Sequence, residues 1–280
     1  MAKSSIYFLS ALLIVGTSCT QREWYKKELT EEEKEQYAPQ IRSGGFYSNY
    51  QGSVGEQMHQ KEALALDSTD AGTWRELGTA RVKRAILDEM YYFYGEAVER
   101  HPEKWAGFRG YLYLYFYRDY ERAIADFNLG DEVNGQVDFS QGQSHDYMRG
   151  ISYYGLKEYE TALDFLDRYI NKVIEVEGES WVDVYAMLYR GLSLMQLNRF
   201  DDAMAEFDRV LKYYPQLSDG FYHKARIYVA RGQFDLALKE LEKAEVNFKK
   251  GYFHQRPYVE VLEQIYLQDI EKLRKEISTS

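Results

Sequence analysis

The sequence predicts an all-α fold built from stacked antiparallel helix pairs, and three observations predict it. Four segments repeat the order aromatic, two residues, alanine, three residues, Phe or Leu: Tyr120/Ala123/Phe127, Tyr159/Ala162/Leu166, Phe200/Ala203/Phe207 and Phe234/Ala237/Leu241. A second small residue precedes each alanine, at Gly110, Gly150, Gly191 and Ala225. Two helices approach closely only where one presents a small residue to the other, and the aromatic and the Phe or Leu then share one helical face. Composition agrees: 4 prolines in 280 residues interrupt little, and 27 tyrosines supply rings for packing helix on helix.

Taken from the start of the chain, Lys3 precedes a largely apolar run of ten residues, Ile6 to Val15, followed by Gly16-Thr17-Ser18 and Cys19. Such a run is too short to span a bilayer, which takes about 20 residues as a helix. It fits the apolar region of an export signal with a small-residue cleavage site. Cys19 is the single cysteine, so no intramolecular disulfide can form. The arrangement resembles a bacterial lipoprotein signal, departing from it at Gly16, where leucine is commoner. The resemblance implies a signal peptide over 1–18 and lipidation at Cys19. It also implies a place in the cell envelope as a membrane-anchored protein, with the outer membrane, on its periplasmic or surface face, the expected site. Residues 19–37 read as a charged tether that turns helical after Thr30, where Thr30-x-x-Glu33 has the spacing of a capping box. Residues 38–70, with Gly44, Gly45, Gly52 and Gly55, read as a degenerate helical or looped segment.

From residue 71 to 248 the repeat is clear. Trp74-Arg75-Glu76-Leu77-Gly78 is followed by Ala97 and Pro102, and Val184 to Pro215 holds Gly191, Ala203, Phe207 and the closing proline. These residues resemble the tetratricopeptide repeat (TPR) family, whose 34-residue signature includes W-x2-L-G, A-x3-F and a final proline. The step from Gly191 to Ala225 has that length. The resemblance implies a TPR-type α-solenoid, a right-handed superhelix of antiparallel pairs, with about four to five repeats. Two connections are lengthened, at Gly130–Ser144 and around Glu175–Ser180. Pro257 is placed as a first-turn proline, so residues 257–278 are expected to form a C-terminal capping helix that covers the exposed end of the stack.

The chain offers little for chemistry. The histidines, His59, His101, His145, His223 and His254, include no i, i+4 pair, and no thiol completes a zinc site. Nucleotide-binding glycine loops and nucleophile elbows are missing from the sequence. The segment Asp131 to Asp138 has oxygen ligands but not EF-hand spacing, and reads as a solvated connection. No catalytic residue, metal or cofactor is therefore assigned. A net charge of −10 and a sequence pI near 5.2 argue against a nucleic-acid partner, which requires a basic face.

The TPR resemblance implies a partner-binding groove floored by the first helix of each pair. Its candidate residues here are Arg75, Phe108, Tyr115, Tyr147, Tyr154, Tyr185, Leu192, Tyr222 and Arg226. That floor is aromatic with few charges, so an apolar or aromatic peptide segment is the expected ligand. The reading is a lipid-anchored, non-catalytic TPR scaffold for protein–protein interaction in the cell envelope. The alternative is a surface glycan- or nutrient-binding lipoprotein accessory to an outer-membrane transporter.

Overall fold

The computed structural model describes residues 29–84 and 86–279. The signal peptide 1–18, Cys19 and the tether up to residue 28 lie outside the described residues. Thirteen α-helices run through the rest, divided between two compact units, Met1–Arg100 and His101–Ser280. No helix among the described residues is long and apolar enough to cross a membrane.

In the first unit, α1 (Glu31–Ser48) pairs with α2 (Val54–Leu66), and α3 (Ala71–Lys83) with α4 (Leu87–Arg100). The α1 helix begins inside the stretch read as tether. The Glu33 amide donates to the Thr30 hydroxyl (3.2 Å), and the Thr30 amide donates to the Glu33 carboxylate (3.0 Å). Glu31, Glu32 and Glu33 add negative charge where the helix dipole favours it. Gly44 and Gly45 lie within this helix, and together α1 and α2 form a regular pair rather than a loose segment. In the α3–α4 pair, a methyl group added at Gly78 would meet the Tyr94 ring at 2.6 Å. The glycine is therefore where the second helix seats its buried tyrosine.

The second unit pairs α5 (Pro102–Leu112) with α6 (Tyr120–Asn134), α7 (His145–Gly155) with α8 (Tyr159–Val176), α9 (Val184–Gln196) with α10 (Phe200–Tyr213), and α11 (Ser218–Ala230) with α12 (Phe234–Lys249). With α3–α4 this makes five pairs from residue 71 onward, where about four to five are expected, and α1–α2 is a further pair upstream. The upstream pairs lack the alanine that marks the others. Gly110, Gly150 and Gly191 each lie against the Phe127, Leu166 or Phe207 of the facing helix, where an added carbon would come within 2.6–2.7 Å. The marker alanines Ala123, Ala162, Ala203 and Ala237 are fully buried. Between the helices of each pair of the second unit the chain turns through one left-handed residue, at Arg118, Lys157, Asn198 and Gly232. The same turn recurs although only one position carries glycine.

Two connections depart from expectation. After α6, Gly135 closes the helix in the left-handed region (φ 68°), and a short hairpin follows, β1 (Phe139–Ser140) against β2 (Gln143–Ser144). Residues 132–137 are exposed, as a solvated connection would be, while Gln143 and Ser144 on the return strand are buried. At the C-terminus the helix expected from Pro257 starts at Leu267 instead, as α13 (Leu267–Ser278). Its first turn is fixed by Asp269, whose carboxylate accepts from the Tyr266 amide (2.8 Å). Pro257 sits in a turn between Arg256 and Val259, which bridge in antiparallel fashion. Residues 251–266 thus form an irregular strap between the last repeat and α13. The α13 helix packs Ile270 and Ile277 against Leu241 and Ala244 of α12.

Candidate interaction face

In the second unit the first helices α5, α9 and α11 all present side chains to the strap, and α7 packs against α9. Spacings of four and seven residues put Tyr147 with Tyr154, and Tyr185 with Tyr189 and Leu192, on one face of α7 and α9 respectively. On α5 the chain passes into a π-helical turn, Tyr113–Tyr117, beside which the Tyr111 and Tyr115 rings lie 4.9 Å apart. Such π-turns are uncommon and concentrate at functional sites.

The strap lies on this face. It leaves α12 at Gly251 (φ 86°), and the Ser218 amide donates to the Tyr252 carbonyl (2.8 Å). The His254 amide donates to the Asp219 carboxylate (2.9 Å), while its ring stacks on Tyr185 with centroids 3.9 Å apart. The Arg256 guanidinium sits over the Tyr115 ring at 4.1 Å and donates to the Tyr111 hydroxyl (3.2 Å). The chain then reverses through Pro257 and Tyr258. On the return, Glu260 pairs with Arg118 (2.8 Å), the Tyr189 hydroxyl donates to the Leu262 carbonyl (2.9 Å), and Glu263 lies 3.8 Å from Arg226. Val261 and Ile265 are buried on the way back to α13.

The nine candidate groove residues fare differently. Arg75 belongs to the first unit, where it pairs with Glu76 (2.8 Å). The other eight belong to the second unit, and Tyr115, Tyr147, Tyr154 and Leu192 are buried. Tyr154 packs edge-on against Tyr159 and Tyr189, and Tyr147 stacks on Tyr169. Both belong to the packing between helices as much as to the face. Phe108, Tyr185, Tyr222 and Arg226 are half-buried. Tyr111, which belongs to the aromatic run Tyr111–Tyr120, completes the face together with Tyr189, Asp219, His254 and Arg256, to which the sequence assigned no place in the groove. Tyr189 stands one helical turn from Tyr185 and could have been found by that spacing. The strap residues carried no such periodic signal.

Burial sets the charge of these groups. It holds the hydroxyls of Tyr115, Tyr147, Tyr154 and Tyr189 well above the ordinary tyrosine range and pushes Tyr185 up to about 12, so all five are neutral hydroxyls. Burial, aided by the charge of Arg256, depresses His254 to about 3, leaving a neutral ring against Tyr185. Asp219 is raised to about 6 by burial, which outweighs its bond from the His254 amide.

A second polar cluster ties the hairpin down. The Ser140 hydroxyl and the His145 Nε2 are 2.9 Å apart, and His145 Nδ1 lies 2.6 Å from Asp131. The order hydroxyl, imidazole, carboxylate is that of a nucleophilic relay. Here Asp131 also pairs with Arg149 and accepts from the Asp138 amide (2.9 Å), and a carbon added at Gly107 would collide with both Ser140 and His145. The trio is pressed against the α5 backbone and fastens the hairpin between α5 and α7. The lengthened connection after α8 is held similarly: Glu179 accepts from Tyr213, Lys212 and Arg209, which lower its carboxyl to about 2. Among the described residues no group of three or more His, Cys, Asp or Glu could hold a metal ion.

Two family models described as tetratricopeptide repeat match the chain, over residues 183–252 and 146–173. No curated protein matches the sequence. Several solved structures share the fold. PilW, described as a widely conserved type IV pilus biogenesis factor, is 15% identical, with a TM-score of 0.57 over 88% of this chain and 100% of its own. A tetratricopeptide repeat protein from Parabacteroides merdae ATCC 43184 is 19% identical, with a TM-score of 0.55 over 89% of this chain and 98% of its own. YrrB, described as a TPR protein with an unusual peptide-binding site, is 22% identical, with a TM-score of 0.50 over 67% of this chain and 91% of its own. At these identities the likeness is one of fold. The paired helices and buried small-residue contacts make the fold an all-α solenoid of the tetratricopeptide-repeat type, and residues 146–173 and 183–252 match the repeat itself.

Proposed function

We propose that this chain is a lipid-anchored scaffold of the bacterial cell envelope that binds protein partners and carries out no chemistry of its own. The observation that carries the binding half is the tyrosine-lined face of α5, α7, α9 and α11, a surface of aromatic rings with few charges set on a rigid repeat stack. Tyrosine combines large contact area with a hydrogen-bonding tip and suits protein recognition. The peptide-binding site named for YrrB supports the same use of a shared fold. The anchoring half rests on Cys19, the single cysteine, directly after a short apolar run and three small residues. Two or more acyl chains there would hold the protein stably, where one chain binds marginally.

The test is chemical crosslinking in intact cells, comparing the wild type with Cys19→Ser. The wild type is expected in the membrane fraction with discrete protein adducts, and Cys19→Ser in the soluble fraction. Unchanged membrane retention of the variant would overturn the anchor. Recovery of bound oligosaccharide without any protein adduct would overturn the scaffold in favour of a glycan-binding protein.

A further inference from the structure

The face that a partner would use is already filled by the chain itself. We propose that residues 252–262 are a resident pseudo-ligand. The face of α5, α7, α9 and α11 binds an extended peptide presenting a flat ring and, two residues later, an arginine, and that peptide enters by displacing the strap. The proposal rests on the scaffold reading above and adds the chemistry and the gating of its ligand.

Three features of the strap carry it. Its contacts are those of a bound extended peptide: amide and carbonyl groups of Tyr252, His254 and Leu262 bond to Ser218, Asp219 and Tyr189, while the side chains occupy separate subsites. This is recognition of main chain for affinity and of alternate side chains for specificity. The His254 ring lies flat on Tyr185, and the Arg256 guanidinium lies over Tyr115 and against Tyr111. A guanidinium over a tyrosine face is an attraction that a neutral side chain cannot supply.

The strap is also held at a cost that a separate peptide would not share. Tyr258 (φ 70°) and Glu263 (φ 58°) are both non-glycine residues in the left-handed region, which the chain needs in order to reverse and rejoin α13. A peptide supplied in trans has no return leg to make.

The segment can open without unravelling the unit. Gly251 and Glu263 bracket it as left-handed hinge points, and α13 stays fastened to α12 through Ile270, Ile277 and the Arg274–Glu245 pair (2.5 Å). The surface exposed by opening is mostly tyrosine, with Val261 of the strap and Leu192 of the face as its aliphatic part. The Tyr189 and Tyr111 hydroxyls, which now bond to the strap, would bond to water.

The experiment uses the full chain, as wild type and as the double variant His254→Ala/Arg256→Ala. The probe is a fluorescently labelled synthetic peptide with the sequence of residues 252–264, read by fluorescence anisotropy. The variant is expected to bind it at least about tenfold more tightly than the wild type, and the same peptide with alanine at its histidine and arginine is expected to lose that binding. Equal affinity for both proteins, or no binding to a variant with full helical signal, would overturn the proposal. If the variant loses its helical signal, hydrogen exchange on the wild type decides. Amides of residues 252–262 should exchange about 100-fold faster than those of α9, as a locally opening segment does. Exchange in step with α9 would make the strap permanent core and overturn the idea. A wild-type dimer abolished by the double variant would name a second copy as the occupant, and would overturn the assignment to a separate partner. Crosslinked partners that persist unchanged in the double variant would leave the scaffold standing and remove this inference alone.

Discussion

At the scale of single residues, the costliest group on the face is Asp219. Its carboxylate is fully buried, accepts one amide from the strap, and is raised to about 6 from an ordinary 3.8. A carboxyl raised in the folded state binds its proton more tightly there than in the unfolded chain. The folded state is therefore favoured most below the ordinary value, and that advantage is lost as pH rises from 3.8 through 6. Over the whole window the loss is about 3 kcal/mol for a shift of this size. Asp219→Asn keeps an oxygen for the His254 amide and does not titrate. Urea unfolding of both proteins should therefore show the variant gaining on the wild type as pH rises from about 3 to about 7, by that same order. A constant difference between them across that range would show that Asp219 is not buried as described. Glu179 has the opposite sense, since its depressed carboxyl stabilises the fold above its ordinary value and loses that effect as pH falls toward 2.

At the scale of elements, the unit of construction is a glycine or alanine on one helix facing a ring or a leucine on the next. A methyl group added at Gly191 would lie 2.7 Å from the Phe207 ring, and Phe207 is fully buried with no room to retreat. Gly191→Ala should therefore destabilise by about 1–3 kcal/mol, the usual effect of overpacking a close contact. Gly95 provides the contrast, since it is also helical but has nothing within 4 Å of an added carbon. There Gly95→Ala should stabilise by about 1 kcal/mol through helix propensity alone. Denaturant midpoints of the two variants should move in opposite directions. These contacts were legible in the sequence, because the spacing of small and aromatic residues is fixed by helix geometry. The α1–α2 pair was less so, and α3–α4 was marked by Trp74, Leu77 and Gly78 on its first helix rather than by its second. Met90 stands where the marker alanine would be, and Gly44, Gly45 and Pro39 argue locally against the helix that Thr30 and its glutamates nonetheless start.

At the scale of the whole molecule, a repeat stack is stabilised by each pair and by its contact with the next, so its ends are where it frays. In the second unit α13 closes that end, with Ile270 fully buried against α12. Ile270→Ala should cost about 2–5 kcal/mol at that site. Because coupling runs from neighbour to neighbour, the loss should be local. Hydrogen exchange is expected to quicken in α11 and α12 while α7 and α8 keep their protection. Uniform loss across the unit would mean that it unfolds as one block rather than from its end.

The sequence by itself determined the class of the fold, the recurring pair, the small-residue contacts and the acidic character with a single cysteine. Each of these depends on residues close together in the chain, at spacings set by the helix. Only the tertiary structure decided what covers the candidate face. His254 and Arg256 reach Tyr185 and Tyr115 across long stretches of chain, in a segment with no periodicity. Pro257, read locally as a helix start, serves instead as the corner of a strap. Local propensity cannot register that choice, because it is made by a surface assembled from four other helices.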